Sequence, residues 1–103
     1  MENTEINLIK DAFIQCISPL RIYLFGSYAE GTQTEDSDFD FYIVVNDDTK
    51  NIADLTALAY KSIRNIRTKA VDILIGTEKR FEERQNMLSV ENEVSRKGVL
   101  LYG

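Results

Sequence analysis

The segment between residues 22 and 40 constrains the fold of this chain most strongly. Its apolar residues 22 to 25 are followed by Gly26 and Ser27, then by ten residues, and then by Asp38-Phe39-Asp40. An apolar run that ends at glycine predicts a strand closed by a turn, and Ser27 can begin a short helix. The alternating acids and aromatics that follow predict a second strand. The chain is therefore expected to fold back on itself here, with two strands in one short segment.

Helical periodicity surrounds this segment. Asn3 or Thr4 can cap a first helix, which Pro19 prevents from continuing. Its apolar residues recur at helical spacing: Ile6, Ile9, Phe13 and Ile17. A second, longer helix is predicted to run to about Arg67, with one apolar face: Ile52, Leu55, Ala59, Ile63 and Ile66. Both helices are expected to pack on the sheet.

The second strand, residues 38 to 45, is predicted to be central, and a third covers residues 71 to 75. Residues 78 to 97 favour helix with breaks near residues 86 to 89, and Gly98 is a typical helix stop. The apolar tail after it is expected to form a sheet edge or a contact with another molecule. These elements predict an α/β (α+β) protein: a small mixed β-sheet of three or more strands covered by helices, in one domain over residues 1–103.

Composition limits the available chemistry. The chain has 17 acidic and 12 basic residues, a net charge of −5, which disfavours direct nucleic-acid binding. It has no histidine, and its single cysteine, Cys16, excludes an internal disulfide. No basic leader or long apolar stretch follows Met1, so we expect a cytoplasmic protein without a membrane span. Any catalysis must rely on carboxylates.

Gly26 and Ser27 are candidates for phosphate binding. Glycine lets a backbone approach a ligand closely, and Ser27 would open a helix whose free N–H groups suit an anion. A plain turn with a helix cap is the commoner meaning of such a pair. Asp38 and Asp40 would project from one face of a strand while Phe39 is buried on the other. A solvated pair of acids at a sheet edge is the alternative there.

Asp72 strengthens the functional interpretation. It is the one charge in an otherwise apolar run, where an isolated buried acid would be unfavourable. If its strand lies beside the strand of Asp38 and Asp40, three carboxylates cluster and repel one another unless a cation neutralises them. Mg²⁺ prefers such hard oxygen ligands and is usually held by one or two carboxylates together with substrate phosphates. The pattern therefore predicts a magnesium and nucleotide site.

The order and spacing of these residues resemble the nucleotidyltransferase superfamily that includes DNA polymerase beta. The short chain resembles its minimal nucleotidyltransferases, or MNT proteins, many of which are antitoxins encoded beside HEPN toxins. The resemblance implies a mixed sheet covered by helices, with ATP as nucleotide donor and Mg²⁺ as cofactor. By position, Gly26 and Ser27 would hold the triphosphate, and Asp38 and Asp40 would bind metal. Asp72 would complete the site, bind a second ion and help to activate the acceptor hydroxyl.

Glu30 departs from the family pattern, in which a basic residue often follows the Gly-Ser turn. An acid near phosphates opposes their charge, unless it points away or Mg²⁺ compensates for it. Four other cations are more typical of solvated surface charges, and no role is assigned to them: Lys50, Lys69, Lys79 and Arg80.

A domain of this size has little concave surface for a separate small acceptor, so the leading hypothesis is an acceptor that brings its own surface. The family implies an antitoxin that transfers AMP from ATP to a tyrosine of its HEPN RNase toxin. One alternative is transfer to a small molecule such as an antibiotic, with an oligomer interface completing the acceptor site. Another is an antitoxin that acts by binding alone, and a purely structural domain is the fourth interpretation.

Overall fold

The computed structural model describes residues 3–103, which form a four-stranded sheet and five helices. The elements in chain order are α1 (Thr4–Ile17), β1 (Arg21–Phe25), α2 (Ser27–Glu30), β2 (Phe39–Val45), α3 (Ile52–Ser62), β3 (Val71–Thr77), α4 (Glu78–Arg84), α5 (Val90–Lys97) and β4 (Val99–Tyr102). Asn3 caps α1 by accepting a hydrogen bond of 3.0 Å from the Ile6 N–H. Thr77 caps α4 in the same way, through the Arg80 N–H. These caps agree with the predicted helix starts.

The sheet is mixed, with strand order β3-β2-β1-β4. Strand β1 pairs antiparallel with β2 and with β4, whereas β2 and β3 are parallel. The predicted fold class and the central position of β2 are confirmed. The apolar tail forms β4, an edge strand along β1, so the sheet-edge expectation is correct for this segment.

Helices cover both faces of the sheet. On one face, Phe39, Phe41 and Ile43 of β2 are buried against α1 and α3. The Phe13 ring of α1 meets the Phe41 ring edge to face, with centroids 5.3 Å apart. The predicted apolar stripe of α1 is buried in full: Ile6, Ile9, Phe13 and Ile17. On the opposite face, Tyr42 and Val44 of β2 pack against α4 and α5.

Three expectations need correction. Helix α3 ends at Ser62 and not near Arg67, because the chain continues as turns in which the Ile66 and Arg67 N–H groups both bond the Ile63 carbonyl. Strand β2 begins at Phe39, so Asp38 lies just before it. The buried interior predicted around Asp72 is also wrong.

Strand β3 is an edge strand whose residues alternate between buried and exposed positions. Val71 and Ile73 face the core, while Asp72 and Leu74 are exposed on the face that carries Tyr42. An edge position with one open face lets water solvate the Asp72 carboxylate, which removes the cost of burying a lone charge.

Candidate active site

The turn after β1 lies directly against the side chain of Asp40. Gly26 has φ +75° and ψ −154°, a backbone conformation that is essentially restricted to glycine. Phe25 pairs with Asp40 across the β1–β2 ladder, and a Cβ added at Gly26 would collide with the Asp40 carboxylate. Glycine is thus required here both by its φ and by this close approach, and the turn lies against the carboxylate.

The helix that follows the turn is brief, as predicted. It spans Ser27–Glu30 and closes at Gly31, whose φ is +76°. The Gly26 carbonyl accepts hydrogen bonds from the Ala29 and Glu30 N–H groups, both at 3.1 Å. Among residues 3–103, no side chain caps the N-terminus of α2. The half-buried Ser27 stands at this uncapped end.

Two of the three predicted acids meet across neighbouring strands. Asp40 and Asp72 are paired in register between the parallel strands β2 and β3, which brings their carboxylates close enough to influence each other. Burial, followed by the charges of Asp72 and Asp38, raises the pKa of Asp40 to about 6. Asp38 is exposed and acts on Asp40 by charge. The sheet therefore creates a pair of coupled carboxylates, with Asp38 beside it.

The donor chemistry of this pair fits Mg²⁺. Within residues 3–103, no three acidic or thiol side chains gather closely enough to hold a metal ion by themselves. Mg²⁺ is usually bound by one or two carboxylates together with substrate phosphates, so it does not need a complete protein cage. Asp40 and Asp72 offer two such ligands, and a cation between them would relieve the repulsion that raises the pKa of Asp40.

A buried acid that sequence reasoning missed lies on the same face of the sheet. Glu91 of α5 is 1% exposed and accepts a 2.7 Å hydrogen bond from the hydroxyl of Tyr42, two residues beyond Asp40. Arg84 Nε donates to Glu91 at 3.0 Å, and Arg80 Nε lies 3.4 Å from it. Burial acts to raise the pKa of Glu91, but the bonds from Tyr42 and Arg84 and the charge of Arg80 outweigh it, so the pKa is lowered.

This network fastens α4 and α5 to the face that carries the aspartates. Only the spacing of Arg80 and Arg84, one turn apart on α4, hints at it in the sequence. A surface pocket of about 410 Å³ lies beside the network and is lined by Thr77, Lys79, Arg80, Glu83, Arg84 and Met87. None of the three aspartates lines that pocket, so it is distinct from the carboxylate pair.

The structure locates two charges that the sequence singled out, Lys69 and Glu30. Lys69 Nζ donates to the Glu35 carbonyl at 2.7 Å, in the loop between α2 and β2. Glu30 Oε1 lies 3.7 Å from Lys97 Nζ at the end of α5. The acid that departs from the family pattern is therefore paired with a lysine that comes from a distant part of the sequence.

The site thus consists of a glycine turn in contact with one of two paired carboxylates on a small mixed sheet of an α/β domain. The chain belongs to the family described as nucleotidyltransferase domain, which matches residues 6–100. The predicted superfamily is confirmed.

Solved structures give the same fold. A toxin–antitoxin crystal structure with AMP-PNP is 26% identical with a TM-score of 0.60, covering 98% of this chain and 74% of that chain. A mutant MntA–HpeT toxin–antitoxin is 28% identical with a TM-score of 0.63, covering 99% and 74%. A proposed nucleotidyltransferase from Sulfolobus solfataricus, 21% identical with a TM-score of 0.63, covers 93% and 75% and supports the fold alone. These neighbours agree with the predicted resemblance to MNT-type antitoxins.

A search of curated protein sequences gave no significant match. In residues 3–103, no helix is long and apolar enough to cross a membrane.

Proposed function

We propose that this protein is a Mg²⁺-dependent adenylyltransferase antitoxin, which transfers AMP from ATP to a tyrosine hydroxyl of a HEPN-type RNase toxin. The observation that carries the proposal is the contact between the Gly26 turn and Asp40, together with the pairing of Asp40 with Asp72 across strands β2 and β3. It brings a candidate phosphate site next to candidate metal ligands. In this proposal residues 1–103 act as one domain in the cytoplasm.

The similar structures support a nucleotide and a toxin partner. One is a toxin–antitoxin with AMP-PNP, an ATP analogue, and this chain is 26% identical to it over nearly its whole length. The MntA–HpeT relative is likewise a pair of toxin and antitoxin. A hetero-oligomer with a toxin is therefore the expected assembly, although a homo-oligomer is also compatible with the fold.

In this proposal Gly26 and Ser27 bind the nucleotide, and Asp72 accepts the proton of the acceptor hydroxyl. Backbone N–H groups at Gly26 and Ser27, with the Ser27 hydroxyl, would hold the triphosphate. The acceptor oxygen would form a bond to the α-phosphorus while the bond to the pyrophosphate oxygen breaks. The proton of the acceptor hydroxyl would pass to the exposed carboxylate of Asp72. AMP-tyrosine and pyrophosphate are the products.

Asp38, Asp40 and Asp72 are the proposed metal ligands. When bound, Mg²⁺ would neutralise phosphate charge and stabilise the attacking and leaving oxygens. The Asp40–Asp72 pair would supply two ligands from paired strands, and the exposed Asp38, just before β2, would have to turn towards the ion to supply the third. Positioning and charge would account for most of the rate, since phosphoryl-type transfer requires little covalent chemistry from the protein.

The open surroundings of Asp72 favour a macromolecular acceptor. Asp72 is exposed on an edge strand, and Leu74 on the same face is 42% exposed. A tyrosine carried on another protein can approach such an open edge, and the pocket beside α4, which could take a small molecule, is not lined by Asp72.

The test is to incubate the protein with its genomic neighbour, ATP and Mg²⁺, and to measure the partner's mass and modified residue. We expect an added AMP on tyrosine and loss of RNase activity. Asp40→Asn should reduce the transfer rate by at least about 100-fold, because it removes a carboxylate that would hold the Mg²⁺ that stabilises the transition state. Asp11→Asn, at an exposed acid on α1, is the matched control and should transfer normally.

Two results would redirect the proposal. If label from ATP appears on a small alcohol and not on a co-purifying protein, the small-molecule alternative is correct. If Asp40→Asn still neutralises the toxin in cells, the antitoxin acts by binding alone.

A further inference from the structure

Helix α5 runs beside the candidate active site. Val94 on its buried face packs with Phe25 of β1, next to the glycine turn. Glu93 and Lys97 are four residues apart and therefore share the adjacent, exposed face. The Glu93 carboxylate is near enough to Asp40 to contribute to its raised pKa. The exposed face of α5 that carries Lys97 thus borders α2, because Lys97 Nζ lies 3.7 Å from Glu30 Oε1.

The end of α5 is held in a fixed position against β1. The Gly98 N–H donates to the Val94 carbonyl at 2.9 Å, and a Cβ at Gly98 would lie only 3.3 Å from the Leu24 carbonyl oxygen. Val99 then pairs with Leu24, two residues before Gly26. Lys97 therefore projects from a backbone that is fastened beside the turn.

Lys97 already forms an ion pair with an acidic side chain close to the turn, that of Glu30. Its Nζ lies 3.7 Å from Glu30 Oε1, one helical turn beyond Gly26, and both side chains are partly exposed. Such a solvated pair contributes little to stability, so its loss would cost little. A triphosphate at the turn would bring several negative charges near Glu30, and Lys97 is the cation in contact with that acid.

We propose that Lys97 binds the triphosphate of the nucleotide held at the Gly26–Ser27 turn, moving from Glu30 to the phosphates when the nucleotide binds. The proposal rests on the proposed function, since it assumes a nucleotide at that turn. Glu30 has a defined part in it, as the resting partner that Lys97 leaves. Its negative charge then opposes the bound phosphates and weakens their binding.

Calorimetric titration with AMP-PNP and Mg²⁺ tests the proposal. Lys97→Gln should weaken AMP-PNP binding roughly tenfold or more, as expected for loss of a charge-assisted contact. Lys97→Arg keeps the charge and should bind nearly as the wild type does. Lys61→Gln, at an exposed lysine on α3, is the control and should leave the affinity unchanged. Thermal unfolding of each variant shows whether a loss arises from misfolding.

The titration distinguishes a failure of the proposed function from a failure of the proposed role of Lys97. If the wild-type protein binds no AMP-PNP, the proposed function and the role of Lys97 both fall. If the wild type binds it and Lys97→Gln binds equally well, only the role of Lys97 falls. A weaker Lys97→Gln and a normal Lys97→Arg support the proposal.

Glu30→Gln tests the exchange of partners. It should tighten AMP-PNP binding several-fold, because it removes both a competitor for Lys97 and a repulsive charge. In the Lys97→Gln background the gain should be clearly smaller, which a double-mutant cycle measures. Equal gains in both backgrounds would overturn the exchange of Lys97 between Glu30 and phosphate.

Discussion

The face of the sheet that packs on α1 and α3 differs from the opposite face in the chemistry of its residues. On the first face, β2 contributes Phe39, Phe41 and Ile43 to one buried apolar cluster. On the second, the same strand contributes Asp40 and Tyr42, which meet Asp72 and the buried Glu91. One strand therefore serves as core on one side and as candidate site on the other.

This difference shows how a small domain accommodates acids in a sheet. The apolar face supplies the burial that stabilises the fold, so the opposite face can carry repelling carboxylates. Glu91 is tolerated because Tyr42, Arg84 and Arg80 satisfy its oxygens. Substitutions on the apolar face should accordingly lower stability, whereas substitutions of the solvated aspartates on the opposite face should chiefly affect binding; the buried Glu91 on that face is expected to affect stability.

The largest expected effect is on the apolar face. Phe41→Ala should lower the free energy of unfolding by about 3–5 kcal/mol, because it removes a fully buried ring that packs on Phe13. Leu74→Ala, at a half-exposed site on the other face, should cost less than about 1 kcal/mol and is the control. Urea unfolding measures both, and equal losses would contradict the proposed division between the faces.

The next effect concerns the buried acid. Glu91→Gln should cost about 2–3 kcal/mol at neutral pH, since it leaves Arg80 and Arg84 without their anion. The lowered pKa of Glu91 means that its contribution is present above the ordinary glutamate pKa and is lost as the pH falls through the folded value. The gap between wild type and variant should close in acid.

Glu83→Gln, at an exposed acid on α4, is the matched control for Glu91→Gln and should change little. A gap between wild type and Glu91→Gln that stays constant at every pH would show that the carboxylate charge is not what stabilises the network.

A smaller effect is expected at the turn. Gly26→Ala should cost about 1–3 kcal/mol and abolish AMP-PNP binding, because the φ is strained for alanine and the Cβ displaces the Asp40 carboxylate. Gly31→Ala has a similar φ but meets no atom within 4 Å. Gly31→Ala should therefore destabilise the fold moderately and leave nucleotide binding intact. If both variants lose nucleotide binding, the collision with Asp40 is not the reason that Gly26→Ala fails to bind.

The smallest effect is a pH dependence of the metal-free protein. The pKa of Asp40 is raised to about 6, so the folded state holds this proton more tightly than the unfolded chain. Stability should be highest below the unfolded pKa and fall as the pH rises through about 6. The change should be below about 1 kcal/mol, because the carboxyl is partly solvated.

Unfolding in EDTA at pH 5 and pH 8 measures this difference. Asp40→Asn should remove it and be the more stable protein at pH 8. A wild type that becomes more stable on going from pH 5 to pH 8 would contradict the raised pKa of Asp40, provided that Asp40→Asn lacks this rise.

Much of the fold is predictable because local patterns decide it. Residues 4–17 show helical spacing with a capping Asn3, and the Gly26 turn follows an apolar strand, so propensity and burial point to the same structure. The end of α3 was overestimated because Ile63 and Ile66 continue the apolar periodicity while the backbone already turns at Ile63. The apolar periodicity of a sequence indicates which residues are buried, but it does not show where the backbone hydrogen bonds of a helix end.

The sequence alone determined the turn, the acidic alternation of Asp38 and Asp40, and the absence of histidine, because residue type and spacing are local properties. Only the tertiary structure decided that β3 is an edge strand on which Asp72 is solvated, that Asp72 lies beside Asp40, and that Lys97 reaches Glu30. Strand order and helix packing bring together residues far apart in the chain, and no local pattern encodes those distances.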